Sequence, residues 1–121
     1  MLQVFTSYVA NYRKFGDCTP VCIMRWKPKF YNGAYYQKLS PSAEYLSALK
    51  YDNMQFGVFY NNMLSYLNIL DPQEVLDELE VFGDKIVLLC TCKDYFHCHR
   101  KIVADWLVGN LGIIVKEIGM E

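Results

Sequence analysis

The stretch KIVLLCTC, residues 85–92, constrains the fold of this chain more than any other segment. It is a run of aliphatic and β-branched residues without polar alternation. A strand with one buried face alternates, whereas an inner strand of a parallel sheet is covered on both faces and is apolar throughout. An amphipathic segment, KIVADWLVGNL, follows after a short polar stretch, and its helix is predicted to end near Gly112. The pattern therefore predicts a strand–loop–helix unit of an α/β sheet.

The rest of the chain supplies further strands and helices for such a sheet. Strands are predicted at about residues 2–7, at PVCIMRW and at the closing IIVKEI. Helices are predicted after Ser42 as N-cap and over the amphipathic FGVFYNNMLSYLNIL. A third helix is predicted over DPQEVLDELEVFG, where Asp71 is the N-cap and Pro72 the first helical residue. We expect a small three-layer α/β sandwich with a mainly parallel sheet, a single domain over residues 1–121.

Composition excludes several classes of protein. The chain has 121 residues, and 53% of them are hydrophobic, which is too many for a disordered chain and enough for one core. Its apolar runs are too short to cross a bilayer, and no basic segment precedes an apolar one at the start, so we expect neither a membrane span nor a signal peptide. Five cysteines without such a signal indicate the reducing cytoplasm.

The segment CTCKDYFHCHR, residues 90–100, carries the densest chemistry. It lies between the predicted inner strand and the last helix, where ligands of open α/β sheets bind. The start of a helix favours anions, and Arg100 offers a fork of donors that matches phosphate or carboxylate. Cys98 is the best nucleophile candidate and His99 the best acid or base. We therefore predict Cys98, His99 and Arg100 as catalytic residues of an enzyme-like anion pocket.

Two other interpretations of the same segment stay open. Zinc is one, with Cys90, Cys92 and Cys98 plus a histidine, His97 or His99, although the spacing C-x-C-x5-C-x-H is not that of a standard zinc finger. A filled corner of the core is the other, because unpaired cysteines are among the most buried residues. Cys90 and Cys92 are predicted to contact the ligand, no residue is assigned to a metal, and zinc is a possible cofactor that the spacing does not favour.

Several segments together resemble a bacterial family known as domain of unknown function 488. The resemblance runs in order through TSYVANY, VCIMRWKP, LSPS, VFYNNMLSYL, VLLCTCKDYFHCHRKIVADWL and KEI. Members of that family carry a strand ending in LLC, a glutamate two residues later, and CHR opening a helix. The resemblance implies a fold and a site, but no reaction.

Carried over residue by residue, Cys90 matches the cysteine that closes the strand, and residues 98–100 match the CHR. The resemblance also places Ser7, Tyr8 and Asn11 in the family's N-terminal motif, and we expect these three residues to contact the ligand. Pro41 and Ser42 match its central motif. Cys92 is a departure, since it stands where the family has a glutamate. Acid or base chemistry of that glutamate would be lost or altered here.

A basic, aromatic segment, RWKPKFYNGAYYQK, suggests the kind of ligand. It interleaves Arg25, Lys27 and further lysines with aromatic rings, the components that bind phosphates and stack on bases. A pI near 6.1 argues against strong non-specific binding of duplex DNA. We predict a phosphate-bearing ligand, a nucleotide or nucleic acid, with Arg25 and Lys27 among its contacts. The alternative is a non-catalytic module that binds single-stranded nucleic acid or a protein partner, with structural zinc; the oligomeric state is not predicted.

Overall fold

The structure is a computed structural model that describes residues 2–11, 15–51, 53–90 and 98–118. Five strands form one sheet: β1 (Gln3–Tyr8), β2 (Thr19–Cys22), β3 (Ala34–Tyr35), β4 (Lys85–Cys90) and β5 (Val115–Glu117). Their order in the sheet is β3-β2-β4-β1-β5, and every neighbouring pair is parallel. The prediction of an α/β fold with a mainly parallel sheet is confirmed.

Strand β4 is the inner strand that its sequence predicts. It pairs with β1 on one side and β2 on the other, so that Cys90 lies beside Tyr8 and Leu89 beside Cys22. Residues 86–90 are all buried, which explains why the run lacks polar alternation.

Four helices follow the predicted segments. They are α1 (Ala43–Tyr51), α2 (Phe56–Leu67), α3 (Pro72–Glu80) and α4 (His99–Leu111). Their apolar residues form one cluster with alternate side chains of the sheet, including Ile86 and Leu88 of β4. The Asp71 carboxylate accepts the backbone N–H of Gln73 at 3.0 Å, the predicted N-cap of α3.

A second apolar cluster covers the other face of the sheet. Val87 and Leu89 of β4 pack there with Cys22, Phe15 and Tyr31. A 3₁₀ turn, Val9–Asn11, lies on the same side, since its Val9 belongs to this cluster. Successive side chains of β4 therefore point to opposite faces of the sheet, and Cys90 lies with Ile86 and Leu88 on the face that carries the helices.

The second strand is shorter than predicted, and a third strand was missed. Strand β2 ends at Cys22, although Ile23 N–H still donates to Leu89 O at 3.1 Å. Beyond it the carbonyls of Met24 and Arg25 accept the Tyr35 hydroxyl, at 2.8 and 2.6 Å. In a sheet these carbonyls would accept backbone N–H groups of a neighbouring strand instead. Strand β3 has two residues, which is too few for a periodic signal.

No helix among the described residues has both the length and the apolar character that crossing a bilayer requires.

Candidate functional site

The Cys90 thiol lies at the carboxyl end of the central strand. It is 3% exposed, and its Sγ is 3.0 Å from Nδ1 of His99, the first residue of helix α4. The strand and the helix that follows it thus bring a thiol and an imidazole into hydrogen-bonding contact. A nucleophile beside a base is the geometry required for thiol chemistry.

A backbone carbonyl determines which nitrogen of His99 carries the proton. The Nε2 atom lies 2.8 Å from the carbonyl oxygen of Ile23, the residue just after β2. A carbonyl oxygen can only accept, so Nε2 donates and the neutral ring has its lone pair on Nδ1. Nδ1 therefore accepts the proton of the Cys90 thiol. Thiol, imidazole and carbonyl are thus joined by two consecutive hydrogen bonds.

Cys98, the predicted nucleophile, lies beside this pair. It is the N-cap residue of α4 with an extended backbone, but its side chain does not cap the helix. The sulfur is 1% exposed, and the Cys90, Cys98 and His99 donor atoms all lie within 4.8 Å of one another. Cys90, Cys98 and His99 therefore form one cluster, in which the short contact to the imidazole belongs to Cys90.

Arg100 is engaged inside the protein. Its side chain is 1% exposed, and it forms a two-pronged ion pair with Glu117 of β5, through Nε at 3.1 Å and a terminal nitrogen at 3.0 Å. The Glu117 carboxylate, 8% exposed, also accepts the Thr6 hydroxyl at 2.7 Å. The charge that the anion pocket was predicted to use is therefore balanced within the fold, and ligand binding by Arg100 stays a prediction.

Two opposing effects act on the pKa of the Arg100 guanidinium. Burial favours the neutral form, but the hydrogen bonds to Glu117 and the nearby Cys98 and Cys90 sulfurs outweigh it and raise the pKa. Arg100 is thus a permanent cation beside the two thiols.

The N-terminal residues implied by the family resemblance lie on and after β1. Ser7 is buried, and its hydroxyl donates to the Ile118 carbonyl at 2.9 Å, next to the Arg100–Glu117 pair. Tyr8 is half-buried at the end of β1, beside Cys90. Asn11 ends the 3₁₀ turn, and the structure does not describe its side chain. Cys92 and His97 lie outside the described residues.

A pocket of about 300 Å³ opens beyond the carboxyl ends of β2 and β3. It lies on the helical face, since Met63 of the core forms part of its wall. Arg25 contributes to it, and its backbone carbonyl accepts both the Tyr35 hydroxyl and the Gln37 amide. The Arg25 Nε atom is buried and has no hydrogen-bond partner among the described residues. The pocket is lined by Arg25, Gln37, Lys38, Ser40, Ser42, Met63 and Tyr66.

The chain connects this pocket to the thiol–imidazole pair. Ile23, whose carbonyl holds His99, precedes Arg25 by two residues, so their backbones lie at most ~7 Å apart. The second cation of the pocket, Lys38, is bound to Glu78 at 3.0 Å. The predicted ligand contact Lys27 is exposed and does not line the pocket.

Two other cysteines lie away from the pair. Cys22 packs in the cluster on the opposite face of the sheet, and Cys18 is partly buried against it. Burial raises the pKa of both thiols, and Asp17 raises that of Cys18 further. A raised pKa lowers the thiolate fraction at neutral pH, so Cys18 and Cys22 are core residues whose thiols react slowly.

Sequence reasoning missed three contributors to the site. Glu117 carries a signal, because it is the acid within the KEI segment noted above. Thr6 is one polar residue in a β-rich strand and gives no such signal. The Ile23 carbonyl belongs to the backbone, which a side-chain pattern cannot identify.

Comparisons with known proteins add a family. A family model described as "DUF488-N3a: Active DUF488-N3 subclade" matches residues 4–111, so the chain belongs to this family. The resemblance to domain of unknown function 488 is thereby confirmed. No curated protein and no solved structure matches the chain with significance.

Proposed function

From membership of the DUF488-N3a family, whose description calls the subclade active, we propose that this chain is an enzyme with a phosphate-bearing substrate, a nucleotide or nucleic acid. The observation that carries the proposal is the 3.0 Å contact between Cys90 Sγ and His99 Nδ1. The imidazole removes the thiol proton. The Ile23 carbonyl stabilises the resulting imidazolium by accepting a hydrogen bond from its Nε2–H group. The resulting Cys90 thiolate is the nucleophile.

Arg25 binds the phosphate in this proposal. Its buried Nε lacks a partner among the described residues, and a shift of the side chain that brings this donor to a ligand oxygen would satisfy it. A volume near 300 Å³ is at the lower end for small-molecule sites, which suits a compact group such as a phosphate with its sugar. Ser40 and Ser42 add hydroxyl groups to the same wall.

Aromatic side chains beside the pocket support a nucleotide over a bare anion. Trp26 and Phe30 are 66% and 57% exposed, and Trp26 directly follows Arg25. Exposed rings beside a phosphate site can stack on bases. The same rings favour the alternative, a binding module for single-stranded nucleic acid, in which Trp26, Lys27 and Lys29 would carry the affinity.

The reactivity of the Cys90 thiol tests the enzyme proposal. In His99→Asn we expect alkylation of Cys90 at neutral pH to slow by about 10²-fold, because the base is lost. Mass spectrometry of peptides after iodoacetamide treatment measures the rate for each cysteine separately. Cys18, which is remote from His99, is the internal control and should react at an unchanged rate. Equal Cys90 rates in the folded variant and the parent would contradict the proposal.

Nucleotide titration then tests the phosphate site. Against a panel of nucleoside mono-, di- and triphosphates, we expect Arg25→Ala to weaken binding at least ~10-fold, as expected for hydrogen bonds to a charged group. Lys29→Ala removes an equal charge from the same segment outside the pocket and should leave the affinity nearly unchanged. Equal losses in Arg25→Ala, Lys29→Ala and Trp26→Ala would favour the binding module.

A further inference from the structure

A second thiol, that of Cys98, lies beside the thiol–imidazole pair, and the proposed reaction does not explain its placement. Cys98 is 1% exposed, and its Sγ lies within 4.8 Å of both Cys90 Sγ and His99 Nδ1 or Nε2. Two sulfurs and an imidazole in one buried volume form a soft donor set. Cys2His is a set that zinc uses with a fourth position left open.

The spacing of the donor atoms fits a bound metal ion. Zn–S bonds of about 2.3 Å and Zn–N bonds of about 2.0 Å in a tetrahedron separate ligand atoms by ~3.5 to 3.8 Å. The cluster runs from 3.0 Å, between Cys90 and His99, to at most 4.8 Å. Shifts of about an ångström or less in the side chains would therefore produce the coordination geometry.

The surroundings of His99 supply what a metal-binding histidine needs. Such histidines donate their second N–H to a carbonyl or carboxylate, which fixes the tautomer and aims the lone pair. The Ile23 carbonyl does so here at 2.8 Å, leaving the Nδ1 lone pair directed at the sulfurs.

Charge balance favours a divalent ion. Two thiolates cancel the charge of the metal, and Arg100 is already balanced by Glu117. A buried site that is neutral as a whole avoids the large cost of an unpaired charge.

We propose that Cys90, Cys98 and His99 bind a soft divalent cation, zinc in the cell, and that the bound ion switches off the thiol. Binding would release the two thiol protons to solvent and leave two zinc–thiolate bonds and one zinc–imidazole bond. His99 has a single free lone pair, so it cannot hold the metal and accept the Cys90 proton together. The inhibition rests on the proposed function, whereas metal binding does not.

Cobalt titration of the metal-free protein tests the binding. We expect one Co²⁺ per chain, with a thiolate-to-cobalt charge-transfer band and the ligand-field bands of a tetrahedral site. Cys90→Ser and Cys98→Ser should each lose about half of the charge-transfer intensity per bound ion, and His99→Asn should weaken affinity by at least ~10-fold. Cys18→Ser, a thiol outside the cluster, should match the parent. A parent without the charge-transfer band, or loss of the band in Cys18→Ser, would overturn the metal site.

A protection experiment on the unmodified chain remains decisive even where a variant fails to fold. One equivalent of Zn²⁺ should block alkylation of Cys90 and Cys98 while Cys18 reacts as before, and a chelator should restore both. Uniform labelling with and without zinc would overturn the site. Two results together would refute the proposed nucleophile and leave the metal site standing. These are slow labelling of Cys90 in the metal-free chain and, in the separate titration, binding of one cobalt ion.

Discussion

At the scale of single residues, the buried ion pair of Arg100 and Glu117 shows how a charged side chain can hold the elements of a site together. It links the first turn of α4 to β5, and Thr6 of β1 adds a third hydrogen bond. The pair thereby fixes the helix start on which His99 and Cys98 lie. We interpret Arg100 as a positioning residue of the candidate site.

Removing one member of this pair should be costly. We expect Arg100→Met to lower the free energy of unfolding by about 3–5 kcal/mol, because the Glu117 carboxylate stays buried without its cation. Urea unfolding followed by circular dichroism measures the change. The double variant Arg100→Met with Glu117→Met should lose less than Arg100→Met alone, since neither charge is then buried. Additive losses would show that the two side chains do not stabilise each other.

At the scale of elements, helix α4 positions most of the chemistry, and its C-terminal end has an identifiable cause. It begins after Cys98 and ends at Gly112, which adopts the left-handed conformation with φ 66°. Glycine reaches that conformation without the strain that a Cβ atom brings, so the predicted end near Gly112 is confirmed.

Two glycines of this region should respond oppositely to alanine. We expect Gly112→Ala to destabilise the chain by about 1 kcal/mol, because its backbone is left-handed. Gly109→Ala, inside the helix, should stabilise it by about 0.5–1 kcal/mol through helix propensity. A Cβ atom at either position meets nothing within 4 Å, so steric clashes contribute to neither change in stability. Changes of the same sign in thermal unfolding would contradict this account.

At the scale of the whole molecule, the basic and acidic parts of the sequence meet. Bases concentrate in residues 13–38 and acids in residues 71–84. The fold brings Lys38 to Glu74 and Glu78 of α3, at 3.6 and 3.0 Å. The acidic block is thus partly the solvated side of a helix and partly an attachment point for the segment that lines the pocket.

This contact makes stability depend on acid pH. Hydrogen bonds from Tyr36 and then Lys38 hold the pKa of the Glu78 carboxyl below its usual 4.5. A lowered pKa stabilises the folded state fully above the unfolded pKa, and that contribution is lost as pH falls through the folded pKa. We therefore expect the stability difference between the parent and Glu78→Gln to be largest above about pH 5 and to vanish at lower pH.

Thermal unfolding across this pH range measures the difference. Glu80→Gln alters an exposed acid of the same helix for which the described residues show no ion pair. It should show a smaller difference than Glu78→Gln above about pH 5. A Glu78→Gln difference that is independent of pH would contradict the assignment.

The sequence by itself determined the parallel α/β class, the inner strand, the helices and the segment where the chemistry lies. These features follow from local periodicity and caps, which act over a few residues: the apolar run of β4, the Asp71 cap and the Gly112 stop. Tertiary structure alone decided the pairings. Whether the imidazole faces Cys90 or Cys98, and whether Arg100 faces a ligand or Glu117, depends on which strand ends meet at one edge of the sheet. Contacts such as Arg100 with β5 and His99 with the Ile23 carbonyl join parts of the chain that are distant in sequence, and no local pattern encodes their geometry.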